Sequence, residues 1–153
     1  MEGFCTDGQA GPPPALRDAL RLVARAEQFS LGLSLKLQKK GYSRDEIRSA
    51  VDTLVKTGML DDQRYARLWV TSRIKRRADS PRELLCSLRG KGIGHGAAVA
   101  ALKEALSAEV QLALLRRFAK KKGICDTVNG SAAREKLCFD GFSAEALDRF
   151  FDE

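Results

Sequence analysis

From residue 15 onward apolar residues recur at spacings of three and four, and no stretch alternates with the period of two that a half-buried strand requires. The pattern predicts an all-α chain. Turn and capping residues divide it into helices near 15–28, 31–40, 44–57, 62–77, 81–91, 95–106, 108–122, 131–139 and 144–152. Two of the starts are explicit, because Ser43-Arg44-Asp45-Glu46 and Ser80-Pro81-Arg82-Glu83 both read as capping boxes, the second with proline at the first helical position. Gly123 to Asn129 carries no periodic residues, and the helix after it is expected to be short.

The same pattern repeats. Leu37-Gln38-Lys39-Lys40-Gly41-Tyr42-Ser43, Leu88-Arg89-Gly90-Lys91-Gly92-Ile93-Gly94 and Leu137-Cys138-Phe139-Asp140-Gly141-Phe142-Ser143 each place Leu, Gly four later, then an apolar residue, at offsets of 51 and 49 residues. Ile47, Ala98 and Leu147 follow six residues after each glycine, and Val51, Leu102 and Phe151 follow ten after, all on one helical face. Each glycine is expected to close a helix in the left-handed conformation, with the next residue packing back on it. The reading is an elongated tandem array of three three-helix units, 15–58, 59–106 and 107–153, behind a flexible leader, 1–14, that ends in Pro12-Pro13-Pro14. Each unit is too small to bury much core alone, so neighbours are expected to lean on one another.

Composition narrows the class. The 153 residues are 44% hydrophobic and 31% charged, a globular mixture without an apolar run long enough for a membrane span. The start of the chain lacks the basic and apolar regions of a secretory signal, so a cytoplasmic protein is expected. Cys5, Cys86, Cys125 and Cys138 form no C-x-x-C pair and His95 is the sole histidine, so neither structural zinc nor another cofactor is expected. Cys86 and Cys138 lie among helix-periodic leucines and read as small core residues in a reducing compartment. Catalysis finds no constellation either. His95 has no sequence-adjacent nucleophile or carboxylate, and Asp45-Glu46 and Asp61-Asp62 stand at helix starts where negative charge is favourable anyway. The glycine-rich stretch from Gly90 to Gly96 follows a helix and lacks a Lys-Ser/Thr pair, so it reads as an interhelical turn and not as a phosphate loop.

Charge points elsewhere. The net charge is +7, yet residues 64–122 hold fifteen Lys/Arg against only Asp79, Glu83, Glu104 and Glu109, and the rest of the chain is net acidic. A basic middle of this kind predicts a polyanionic partner. Arg64, Arg67, Thr71 and Lys75 are spaced to share one helical face, opposite the apolar stripe of Tyr65, Ala66, Trp69, Val70 and Ile74, in which Trp69 reads as core. Arg73, Arg76, Arg77, Arg82, Arg89 and Lys91 extend the first cluster, and arginine in such density suits bidentate capture of carboxylate or phosphate. Arg116, Arg117, Lys120, Lys121 and Lys122 form a second cluster, only part of which the dipole of their own helix explains.

The middle unit is also specific as a sequence. Leu60-Asp61-Asp62-Gln63-Arg64-Tyr65-Ala66-Arg67-Leu68-Trp69-Val70-Thr71-Ser72-Arg73, then Ser80-Pro81-Arg82-Glu83-Leu84-Leu85 and Leu88-Arg89-Gly90-Lys91-Gly92-Ile93, resemble the signature of the RecX family. The resemblance covers roughly residues 15–152 and is carried chiefly by the second unit. It implies a non-enzymatic regulator of the RecA recombinase that lies in the groove of the RecA–single-stranded DNA filament. Restraint of ATPase, strand-exchange and coprotease activity is implied with it, in recombinational repair and the SOS response. Ser30-Leu31-Gly32-Leu33 departs from the polar, acidic start usual at the second helix of the family's first unit, and the second helix of the third unit appears shortened.

The fourteen basic residues of the two clusters are thus the candidate contacts to the filament. A helix of twelve residues is about 18 Å long, so three linked units would suffice to bridge neighbouring recombinase subunits. The alternative is a stand-alone nucleic-acid-binding protein, in which a helix–turn–helix-like unit meets DNA directly. A monomer is expected, with at most weak binding to naked DNA and no membrane partner.

Overall fold

A computed structural model describes residues 11–124 and 130–152. These residues form α-helices throughout and no strand: α1 (Pro14–Arg25), α2 (Ser30–Lys39), α3 (Arg44–Lys56), α4 (Asp62–Arg76), α5 (Pro81–Gly90), α6 (His95–Ala105), α7 (Ala108–Lys122), α8 (Gly130–Phe139) and α9 (Ala144–Phe151). The all-α expectation holds. Most of the leader, with Cys5, and the stretch containing Cys125 lie outside the described residues.

The predicted helix starts are made by the expected chemistry. Ser43 Oγ accepts from the backbone N–H of Glu46 while Glu46 Oε2 accepts from the N–H of Ser43 at 2.8 Å. Ser80 and Glu83 repeat the exchange, with Ser80 fully buried. The helix ends are equally regular. Gly41, Gly92 and Gly141 have φ of 91°, 79° and 92°. After each of them the next N–H returns to the leucine of the repeat, Tyr42 to Leu37 at 3.4 Å, Ile93 to Leu88 at 3.2 Å and Phe142 to Leu137 at 3.3 Å. Each glycine N–H in turn donates to the carbonyl three residues before it, which completes the six-to-one and five-to-two bonds of a left-handed helix cap.

Three expectations need correction. The first helix ends at Arg25, not near 28, because Ala26 is extended and the buried Gln28 amide donates to the carbonyls of Leu22 and Ala26 while accepting from Lys36 Nζ at 2.7 Å. The helix after residue 129 is not shortened, for α8 has ten residues, as do α2 and α5. Cys86 and Cys138 are exposed free thiols, not core. The buried positions around Cys86 belong to Leu84 and Leu88, and a residue two places from either is displaced by about 200° round the helix.

The chain divides into two compact units, separated in sequence between Asp61 and Asp62. In the first, α1, α2 and α3 enclose Ala15, Ala19, Leu33, Leu37, Ile47, Ala50, Leu54 and Leu60. Phe29 precedes α2 with its ring over Gly32, where an added Cβ would lie 2.6 Å from the ring, and this apolar contact occupies the departing Ser30–Leu33 start. In the second unit α4 to α9 share one core, running from Val70, Leu84 and Leu88 through Leu115 and Phe118 to Leu137, Phe142 and Leu147. The Phe118 and Phe142 rings lie 5.5 Å apart. Polar ties cross this unit: the Arg82 N–H donates to the Asp140 carbonyl at 3.0 Å, and the Ser143 N–H to Gln111 Oε1 at 3.0 Å.

Candidate basic interaction surface

All of the candidate cations lie in the second unit, and helix packing sorts them into groups with different neighbours. α4 buries Ala66 and Val70 against α6, which turns its opposite face outward. Arg64, Arg67, Thr71 and Lys75 come together there, as their spacing predicts, and with Leu68, Ser72, Arg76 and Glu104 of α6 they line a groove of about 540 Å³. Arg67 Nη1 lies 3.5 Å from Glu104 Oε2. Lys75 and Arg76 are exposed and enter no ion pair with another described residue, and the same is true of Arg77 and Arg89.

Trp69 is half-buried at the edge of the core, a less enclosed place than its expected core role. The Arg73 guanidinium lies 5.4 Å and the Lys91 ammonium 5.7 Å from its ring centroid, within cation–π range. Arg82, on the first turn of α5, stacks 3.9 Å over Phe139, whose ring is exposed at the end of α8. This pair borders a mainly apolar cavity of about 470 Å³ that Leu85, Val99, Leu102 and Leu106 also line.

The second predicted cluster divides as well. Arg117 Nη1 donates to the Ile74 carbonyl at 2.7 Å, and Lys121 Nζ to the Ala78 carbonyl at 3.3 Å. Arg117 thus binds the carbonyl end of α4 and Lys121 the loop that follows it, and neither binds the end of its own helix. Lys121 also lies 3.6 Å from Asp79, which accepts from Arg73 Nε at 2.6 Å. Lys122 lies 5.5 Å from the Phe118 ring, and Arg116 and Lys120 are exposed.

Sequence spacing did not single out Leu68, Glu104 or the Arg82–Phe139 stack. Leu68 carried a readable signal, an apolar residue at helical spacing from Arg64, Thr71 and Lys75. Glu104 carried none, since it reaches the site only through the packing of α6 on α4.

The regulatory protein RecX of Pelodictyon phaeoclathratiforme is 32% identical to this chain over 117 residues, 76% of this chain and 69% of that protein. The chain belongs to the RecX family. The regulatory protein RecX of Treponema pallidum (strain Nichols) is 37% identical over 84 residues, 55% of this chain and 51% of that protein, so the chain spans about half the length of such curated relatives. No family model matches the chain. The RecX fold is evident in solved structures. The crystal structure of RecX from Lactobacillus salivarius aligns with a TM-score of 0.69 at 20% identity, over 90% of this chain and 92% of that one. A second crystal structure, of the regulatory protein RecX, aligns with a TM-score of 0.71 at 22% identity, over 91% of this chain and 70% of that one.

Proposed function

We propose that this RecX-family chain regulates the RecA recombinase by binding the RecA–single-stranded DNA filament and restraining its ATPase, strand-exchange and coprotease activities. The observation that carries the reading is the convergence of Arg64, Arg67, Lys75 and Arg76 on one groove of a chain in this family. A nucleoprotein filament offers carboxylates and phosphates together, and a cationic groove raises the rate of encounter with either. The role is one of binding without chemistry of its own, in the cytoplasm, by a monomer of three three-helix repeats, the second and third of which share one core. Of the candidate cations, Arg64, Arg67, Lys75, Arg76, Arg77 and Arg89 are the ones aimed at the partner, while Arg73, Arg117 and Lys121 support the fold beneath them.

The test is RecA ATP hydrolysis on single-stranded DNA with this chain at sub-stoichiometric ratios, alongside a titration of naked DNA. Suppression at ratios too low to cover the DNA is expected. Suppression only when the DNA itself is saturated would leave simple competition for DNA, and the nucleic-acid-binding alternative in its place.

A further inference from the structure

The groove between α4 and α6 contains more than charge. Leu68 stands in it among the cations with 55% of its surface exposed. An exposed apolar residue ringed by charged ones marks a contact whose centre is dehydrated and whose rim is polar. Glu104 is the sole acid among the described residues of the groove lining, and its carboxylate lies 3.5 Å from Arg67 with both side chains open to solvent, 43% exposed for the arginine and 61% for the acid. So exposed a pair adds little to stability and exchanges readily.

We propose, resting on the filament reading above, that this groove takes an acidic peptide segment with an apolar side chain at its centre, and that Glu104 is the resident carboxylate that the segment displaces from Arg67. Charge complementarity selects an anionic occupant, and Leu68 selects a polypeptide over a nucleic acid strand. Phosphates would satisfy the arginines, but bases bind a groove through stacking on aromatic rings, and the described residues of the lining include none. Trp69 of the same helix is engaged with Arg73 and Lys91. The Thr71 hydroxyl is committed to the Arg67 carbonyl at 2.9 Å, so it offers no spare donor to a phosphate. A helix or extended segment with carboxylates either side of one leucine-like residue fits both features. The Arg67–Glu104 contact is that ligand's charge pairing in miniature, made by the protein with itself.

The experiment measures association of the full chain with three probes: a RecA filament on single-stranded DNA, naked oligothymidylate, and a synthetic acidic helical peptide carrying a central leucine. The wild type is compared with Leu68→Ala and Glu104→Gln, both exposed positions whose replacement leaves the core intact. Leu68→Ala is expected to weaken binding to filament and peptide about tenfold, from the lost apolar burial, and to leave oligothymidylate unchanged. Glu104→Gln is expected to tighten peptide binding about threefold as Arg67 is released. If Leu68→Ala binds filament and peptide as the wild type does, or loses oligothymidylate in equal measure, the acidic-peptide assignment falls while the filament reading stands. If the wild type ignores the filament yet binds the peptide in a Leu68-dependent way, the filament reading falls and the groove assignment stands.

Discussion

Arg73 donates from Nε to Asp79 Oδ2 at 2.6 Å, joining the last turn of α4 to the loop that follows it. The carboxylate is nearly buried, with 13% of its side chain exposed, and Lys121 of α7 approaches its other oxygen at 3.6 Å. Arg117 and Lys121 complete the junction, the first donating to the carbonyl of residue 74, among the last of α4 and without a helical partner, the second to that of residue 78 in the loop. Three cations that charge patterning nominates for a ligand thus hold the α4–α5 connection to α7. Arg76 and Arg77, between Arg73 and Asp79 in sequence, are presented from a fixed base.

Replacing Asp79 tests this junction. Asp79→Ala leaves Arg73 partly buried without its acceptor and removes the second contact of Lys121. A loss of about 1–3 kcal/mol is expected from urea unfolding of the second unit. Arg73→Ala in the Asp79→Ala background should cost far less than in the wild type, since the two act as one interaction. Independent, additive losses would mean that the pair contributes nothing as a pair.

The two kinds of cation should separate experimentally. Lys75→Glu with Arg76→Glu reverses two exposed charges that pair with no described residue, so stability should stay within about 0.5 kcal/mol while filament association drops. Arg117→Ala removes a donor from the end of α4 and should lower stability by about 1 kcal/mol. A double reversal that unfolds the chain, or an Arg117→Ala that alters binding at unchanged stability, would exchange the two assignments.

Legibility in the sequence follows the range of each interaction. Helix starts at Ser43 and Ser80 and ends at Gly41, Gly92 and Gly141 depend on residues within six of one another, and their chemistry is written in order along the chain. The face of Arg64, Arg67, Thr71 and Lys75 is equally local, being set by the helical repeat. The first helix stops short of its expected end because Ala26 is extended and the Gln28 amide folds back on the carbonyls of Leu22 and Ala26, which no local spacing announces. Arg117 and Ile74 are 43 residues apart, and nothing local announces their contact. Cys86 is exposed and not in the core for another reason: proximity to leucines in sequence is not proximity in phase.

The three repeat glycines share a conformation but not a setting. Gly41 has φ of 91° with open space where a Cβ would stand. Gly41→Ala should therefore cost only the left-handed backbone strain, about 1–2 kcal/mol. At Gly141, with φ of 92°, an added Cβ lies 3.3 Å from both the Arg82 nitrogen and Pro81 Cβ. Gly141→Ala then also presses on the first turn of α5, beside the bond from Arg82 N–H to the Asp140 carbonyl. It should exceed Gly41→Ala by about 1 kcal/mol or more in chemical unfolding. Equal losses would show that the α5 turn yields without cost.

Acid should act on the first unit through Asp18. Its Oδ2 accepts from Lys40 Nζ and from the Tyr42 hydroxyl, both at 2.9 Å, which ties α1 to the end of α2. The hydrogen bond from Lys40, then that from Tyr42, holds the carboxyl below its ordinary value of 3.8, and the same carboxylate pushes the Tyr42 hydroxyl above its ordinary 10.0. A carboxyl with a lowered folded value contributes stability that is present above 3.8 and is lost as pH falls through that lowered value. Asp18→Asn should thus lower the Tm at neutral pH, with the gap to the wild type closing as pH descends below 3.8. Calorimetric unfolding of both proteins across the acid range reads this directly. A gap that persists undiminished into strong acid would assign the contact to packing of the side chain and not to its charge.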